Sequence, residues 1–213
     1  MTSATRILAL RHGETDWNVE GRIQGSTDIT LNEHGRWQAQ QLAQALADEP
    51  IAAIYSSALR RASDTAAAIA EALDLTPRLH AGLRERAFGA FEGQTFTEVE
   101  VRWPEHAQRW RQRDPHWTPP EGESLMQLRQ RVANAVDELA ALHVGECVAL
   151  VAHGGVLDAL YRLATGQPVE TPRSWELGNA SINRLLWTPR GLTLVGWGDR
   201  SHLDRATLDA HRL

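Results

Sequence analysis

Lysine is missing from the 213 residues, and all 22 basic positions are arginine. Schiff-base chemistry, the P-loop lysine and the strand lysine of protein kinases are thereby excluded. Cysteine occurs once, as Cys147, so no internal disulfide can form. At the head of the apolar run CVALVA that residue reads as a small buried core side chain rather than a reactive thiol. No window approaches 18 uninterrupted apolar residues, and no basic segment followed by a hydrophobic one opens the chain. Neither a membrane span nor a signal peptide is expected, and the expected location is the cytoplasm. An excess of positive charge is missing too. The net charge of −5 argues against nucleic acid or a membrane surface as partner, because such binders display basic patches that release counterions from phosphates. A local cationic pocket is still compatible with it, but among so many arginines only position can single one out.

What is present has ordinary globular character: 42% apolar residues and a length that suits one domain, 1–213. Apolar runs fit for buried strands occur at 7–10, 51–55 and 148–152, each followed by helical periodicity, an alternation that implies a parallel sheet. Asn32 is a plausible N-cap for a helix carrying Trp37, Leu42 and Leu46 and reaching about Ala47. Leu59, Ala62, Ala66, Ile69 and Leu73 form one apolar stripe on the next helix. SLMQ at 124–127 reads as a capping box, and Leu125, Leu128, Val132, Val136, Leu139 and Leu142 continue it as a long amphipathic helix. INRLLW and LTLVGW flank Thr188-Pro189-Arg190-Gly191, which predicts an antiparallel hairpin at one sheet edge. The stretch 86–123 is proline-punctuated, reads as irregular and carries Trp103, Trp110 and Trp117. It is either an insertion covering a site or aromatics packed on the body.

Ligands of open α/β sheets bind beyond the carboxyl ends of the strands. Three such ends deliver Arg11-His12-Gly13-Glu14, then Ser56-Ser57 with Arg60-Arg61, then His153-Gly154-Gly155. Neighbours on a helix point about 100° apart, so only one of the two adjacent arginines can face the site. Arg61, beside the apolar stripe with Thr65, is the choice, and Arg60 faces out. Two histidines among arginines do not suit zinc, which needs three or four ligands and is repelled by cations. Forked guanidinium groups suit an anion with several oxygens, above all a phosphoryl group. A histidine with a free pKa of roughly 6.5 is then a candidate nucleophile.

The quoted residues resemble a known family. LRHGETDWNVEGRIQGSTDITLNEHGRWQAQQL, SSALRRASDTA, LRERAFGAFEG and VAHGG are similar, in order and rough spacing, to the four motifs of the histidine phosphatase superfamily, which includes cofactor-dependent phosphoglycerate mutases and small phosphatases. The resemblance implies an α/β fold of phosphoglycerate mutase-like type, a three-layer α/β/α sandwich whose mostly parallel central sheet has an antiparallel edge. It implies His12 as the phosphoryl-accepting nucleophile, held by the Gly13 carbonyl, with Arg11, Arg61 and His153 around the phosphoryl oxygens and Glu85 as general acid and base. Asn18, Gln24, Gly25 and Gly154 would add substrate contacts, while Glu14 would organise the pocket and Glu92 would be structural. No metal and no cofactor is implied, and the partner is a small-molecule phosphomonoester; a homodimer is compatible with the sequence.

Within the family the text leans toward hydrolysis. RAFGAFEGQTF, HGGV and PEGES resemble the phosphatase branch, and the mutase lysine contact has no counterpart. Mutase activity and a catalytically idle phosphate-binding module are the alternatives. Thr30-Leu31, Phe91 and Asp158 depart from the common pattern. Asp158 stands where many phosphatases carry an arginine and is expected to weaken binding of a second anionic group. With the tryptophans, that favours a substrate whose organic part is neutral or weakly charged, such as the nucleoside-like α-ribazole phosphate. Whether the segment 200–213 closes over the site is left open by the sequence.

Overall fold

The computed structural model describes residues 4–204. Its strands are β1 (Thr5–Arg11), β2 (Ile51–Ser56), β3 (Arg78–Leu79), β4 (Cys147–Ala152), β5 (Ile182–Thr188) and β6 (Gly191–Asp199), joined in one sheet of order β3-β2-β4-β1-β5-β6. The first four are mutually parallel, whereas β5 and β6 run antiparallel and form the expected hairpin edge. Every residue of β4 is buried, as a continuous apolar run covered on both faces requires.

Along β1 side chains alternate between two cores, following the period of two of a strand. Ile7 and Ala9 join Leu128, Val132 and Val136 of α6 (Leu125–Ala141) and Val156 and Leu160 of α7 (Gly154–Thr165). Leu8 and Leu10 join Leu42 of α2 (Glu33–Ala45), which follows the single-turn α1 (Asp16–Val19), and Ala66 and Ile69 of α3 (Arg60–Ala72). The result is three layers, α/β/α. Each fully buried Leu or Ile in them stabilises the fold by about 1.5–3 kcal/mol. The Asn32 side chain accepts from Gly35 N, and both halves of the Ser124/Gln127 capping box are made. None of the described helices is long and apolar enough to cross a membrane.

The stretch 86–123 is more regular than expected, because it contains α4 (Phe96–Arg102) and α5 (Pro104–Arg111). A reciprocal Thr95/Glu98 cap starts the first, and Pro104 occupies the opening turn of the second, where its missing N–H costs nothing. Phe91, Val99, Ala107 and Trp117 make a third core there, with Trp103 and Trp110 packed against it.

After β1 the chain reaches α2 on one face of the sheet, and after β4 it enters α7 on the other. The connections therefore diverge between two neighbouring parallel strands, the switch point at which open α/β sheets leave a crevice.

Candidate active site

His12 and His153 follow the last residues of β1 and β4, Arg11 and Ala152, which are partners in register. Both rings are buried, with centroids 5.1 Å apart. His12 Nδ1 lies 2.6 Å from Gly13 O. A carbonyl only accepts, so Nδ1 carries the proton and Nε2 keeps the lone pair. Thr65 Oγ1 accepts from Gly13 N at 3.1 Å, and Asn179 Nδ2 donates to His12 O at 3.0 Å and to Gly13 O at 3.3 Å. A Cβ on Gly13 would fall 2.3 Å from Gly35 O, so no other residue fits.

Arg61, fully buried at 0% exposure, donates through Nη1 to Thr27 O at 2.8 Å and through Nη2 to Gly25 O at 2.7 Å. Its Nε donates to His153 Nδ1 at 3.2 Å. His153 must then carry its proton on Nε2, a buried atom without a hydrogen-bond partner among the described residues. Arg60 is exposed, its backbone N–H bonded to Asp28. Arg11 donates through Nη1 to Leu177 O, and its buried Nε has no hydrogen-bond partner among the described residues.

Burial, reinforced by the charges of Arg11 and Arg61, holds His12 well below the ordinary imidazole range; the Gly13 bond opposes this. Burial acts first on His153 too, followed by Arg61, His12 and Arg11. Both rings are neutral near pH 7. Burial also lowers Arg11 to about 10, against the attraction of Glu85, which leaves it charged.

Glu85 reaches the opening of α7: Gly155 N donates to its Oε1 at 3.0 Å and Arg86 N to the same oxygen at 2.8 Å. Gly154 lies between Arg11 and Glu85, either of which a Cβ there would meet at 3.9 Å. Gln24 is buried, its Oε1 without a hydrogen-bond partner among the described residues, and Gly25 contributes its carbonyl to Arg61. Asn18 spends its oxygen on Thr15 N and on Asn179 Nδ2. Glu14 accepts from Asn32 Nδ2, while Glu92 ties the 23–27 turn to the 88–92 corner by accepting from Ser26 N, Phe88 N and Thr27 Oγ1.

Beside these groups opens a cavity of about 550 Å³, lined by Arg11, Arg86, Arg113, Arg173, Glu85 and Asp158 with apolar walls that include Phe88, Trp110 and Leu128. Of the three tryptophans of 86–123 only Trp110 reaches it; Trp103 and Trp117 pack on Phe91. Asp158 corrects the expectation attached to it. Arg113 Nη2 at 2.8 Å and Arg162 Nε at 3.0 Å both bond its Oδ2, so its charge is offset by two guanidinium groups, while its buried Oδ1 has no hydrogen-bond partner among the described residues. Arg86, Arg113, Arg173 and Asn179 were not legible as site residues, since arginine is everywhere in the sequence and nothing marks Asn179. Among the described residues no group of three or more His, Cys, Asp or Glu is disposed to hold a metal ion.

Comparison with known proteins agrees with this geometry. Residues 7–200 match the histidine phosphatase superfamily (branch 1). A metal-independent phosphoserine phosphatase of Arabidopsis thaliana is 37% identical over 95% of this chain and 84% of its own. A probable phosphoglycerate mutase, GpmB, of Yersinia pestis is 36% identical over 96% and 97%. The mycobacterial glucosyl-3-phosphoglycerate phosphatase in complex with VO3 superimposes with a TM-score of 0.82 at 36% identity, covering 91% of this chain and 98% of that one. By motif, fold and sequence, this chain belongs to the histidine phosphatase superfamily, branch 1.

Proposed function

We propose that the protein is a phosphomonoesterase of small phosphorylated metabolites, that its nucleophile is His12 and that Glu85 is its general acid and base. The observation that carries the reading is the locked tautomer of His12. A neutral imidazole whose Nδ1–H is committed to a backbone carbonyl keeps its Nε2 lone pair among Arg11, Arg61 and His153. The relatives named as phosphatases support the reaction class.

In the first step His12 Nε2 forms a bond to phosphorus as the ester P–O bond breaks, and Glu85 in its acid form gives the departing alkoxide a proton. Help of that kind is worth about 10²–10⁴ in rate. Arg11 and the free Nε2–H of His153 meet the charge on the equatorial oxygens, the contribution that dominates phosphoryl transfer. Arg61 holds His153 and the 24–27 turn in place. In the second step Glu85, now a carboxylate, takes a proton from water as the oxygen attacks phosphorus and the N–P bond breaks, releasing inorganic phosphate. The proton and charge balance closes without any further group.

Rapid acid and alkali quenches of the enzyme mixed with ³²P-labelled phosphoserine test the proposal. The expected result is a protein-bound label that is labile in acid, stable in alkali and mapped to His12. Steady turnover without such a label would refute the covalent route, and no turnover of any monoester would favour a binding module. Mutase activity, for which the GpmB relative speaks, is separated by counting inorganic phosphate released per 3-phosphoglycerate consumed.

A further inference from the structure

Arg86 is 3% exposed and lines the cavity next to Glu85, yet among the described residues its guanidinium makes no ion pair. Nε donates to Glu123 O at 2.8 Å, and the planar group lies 5.0 Å from the Phe88 ring and 5.8 Å from that of Trp117. Buried Nη2 has no hydrogen-bond partner among the described residues. No nearby carboxylate forms an ion pair with it among the described residues: both oxygens of Glu123 bind Arg131, at 2.9 and 2.7 Å, and Asp158 turns its Oδ2 to Arg113 and Arg162. Burial lowers Arg86 to about 10, so it stays charged at neutral pH. A buried guanidinium with an unpaired N–H is costly, and native structures seldom leave one without a purpose. The aromatic faces and the Glu123 carbonyl fix its plane in advance, which suits a planar, two-oxygen anion better than it suits a point charge.

We propose that Arg86 forms a second anion subsite that binds a carboxylate on the organic part of the substrate, making the enzyme selective for phosphomonoesters of small carboxylic acids. The proposal rests on the phosphatase reading above. It reverses the expectation of a neutral leaving group, because the arginines of the cavity outnumber its two acids, Glu85 and Asp158.

Matched substrates isolate the carboxylate: phosphoserine against phosphoethanolamine, and 3-phosphoglycerate against glycerol 1-phosphate. In the unaltered enzyme kcat/KM should favour the acid of each pair by about 10- to 100-fold, the worth of a buried charge-assisted hydrogen bond. R86M should bring each ratio to within about threefold of one, chiefly by raising KM for the acids, and R86K should restore part of it. A ratio near one in the unaltered enzyme, or a ratio that survives in R86M, overturns the subsite. Should R86M fail to fold, the unaltered enzyme and R86K decide alone. Turnover of all four esters without preference sinks only this proposal, whereas turnover of none, with no phosphohistidine, sinks the phosphatase reading with it.

Discussion

Acid should unfold this protein earlier than its carboxylates would predict, because two imidazoles are buried neutral at its centre. In the unfolded chain His12 and His153 titrate near 6.5. In the folded state burial and the neighbouring arginines hold both well below that value. Between the folded and unfolded values the unfolded chain therefore binds more protons, and stability rises with pH. It is complete above about 6.5 and is lost as pH falls from there toward the folded values. Each histidine contributes about 1.4 kcal/mol per pH unit inside that window, so the pair gives a slope of about 2.7. Over the unit below pH 6 that removes about a fifth to a half of a typical 5–15 kcal/mol. His202, lowered mainly by burial, adds to the slope. Glu98, Asp114 and Asp199 are also lowered, but their stabilisation is lost only below about pH 4.5, outside the window. Urea unfolding in phosphate-free buffer at pH 7.0, 6.0, 5.5 and 5.0 measures the slope. His153→Asn keeps an oxygen for Arg61 Nε but cannot titrate, and should lower the slope by about 1.4 kcal/mol per pH unit. A flat stability profile between pH 6 and 5, or an unchanged slope in the variant, would refute the buried-neutral assignment.

Gly13→Ala places a methyl 2.3 Å from Gly35 O, a backbone atom that cannot step aside, and should cost at least about 2 kcal/mol, read as a fall in melting temperature. Glu85→Gln should slow phosphoserine hydrolysis by about 10²- to 10⁴-fold but p-nitrophenyl phosphate far less, since a nitrophenolate leaves without a proton; equal losses on both would remove Glu85 from the acid role.

The fold was readable where local chemistry and tertiary packing agree. CVALVA suits a buried strand and is one, covered on both faces, and Asn32 and Ser124 announce helices by caps that the structure makes. The 86–123 stretch reads as irregular because its helices are seven and eight residues long, too short for hydrophobic period to emerge, although TFTE and Pro104 carry start signals. Converging strand ends brought out His12 and His153, and helix phase separated Arg61 from Arg60. The charge of Asp158 is visible in the sequence, and so is Arg162 four residues on along the same helix, but Arg113, 45 positions away, is not, and the two guanidinium groups together offset that charge.

The division of labour between the sheet tips and the 86–123 crossover bears on how such an enzyme changes over generations. Groups at the strand ends are bolted to one another through backbone carbonyls, so drift there breaks the machine. The crossover supplies Arg86, Trp110 and Arg113 from short capped helices and turns that rest on their own aromatic core. Mutations in that segment can readdress the catalyst to a new metabolite while its engine stays untouched.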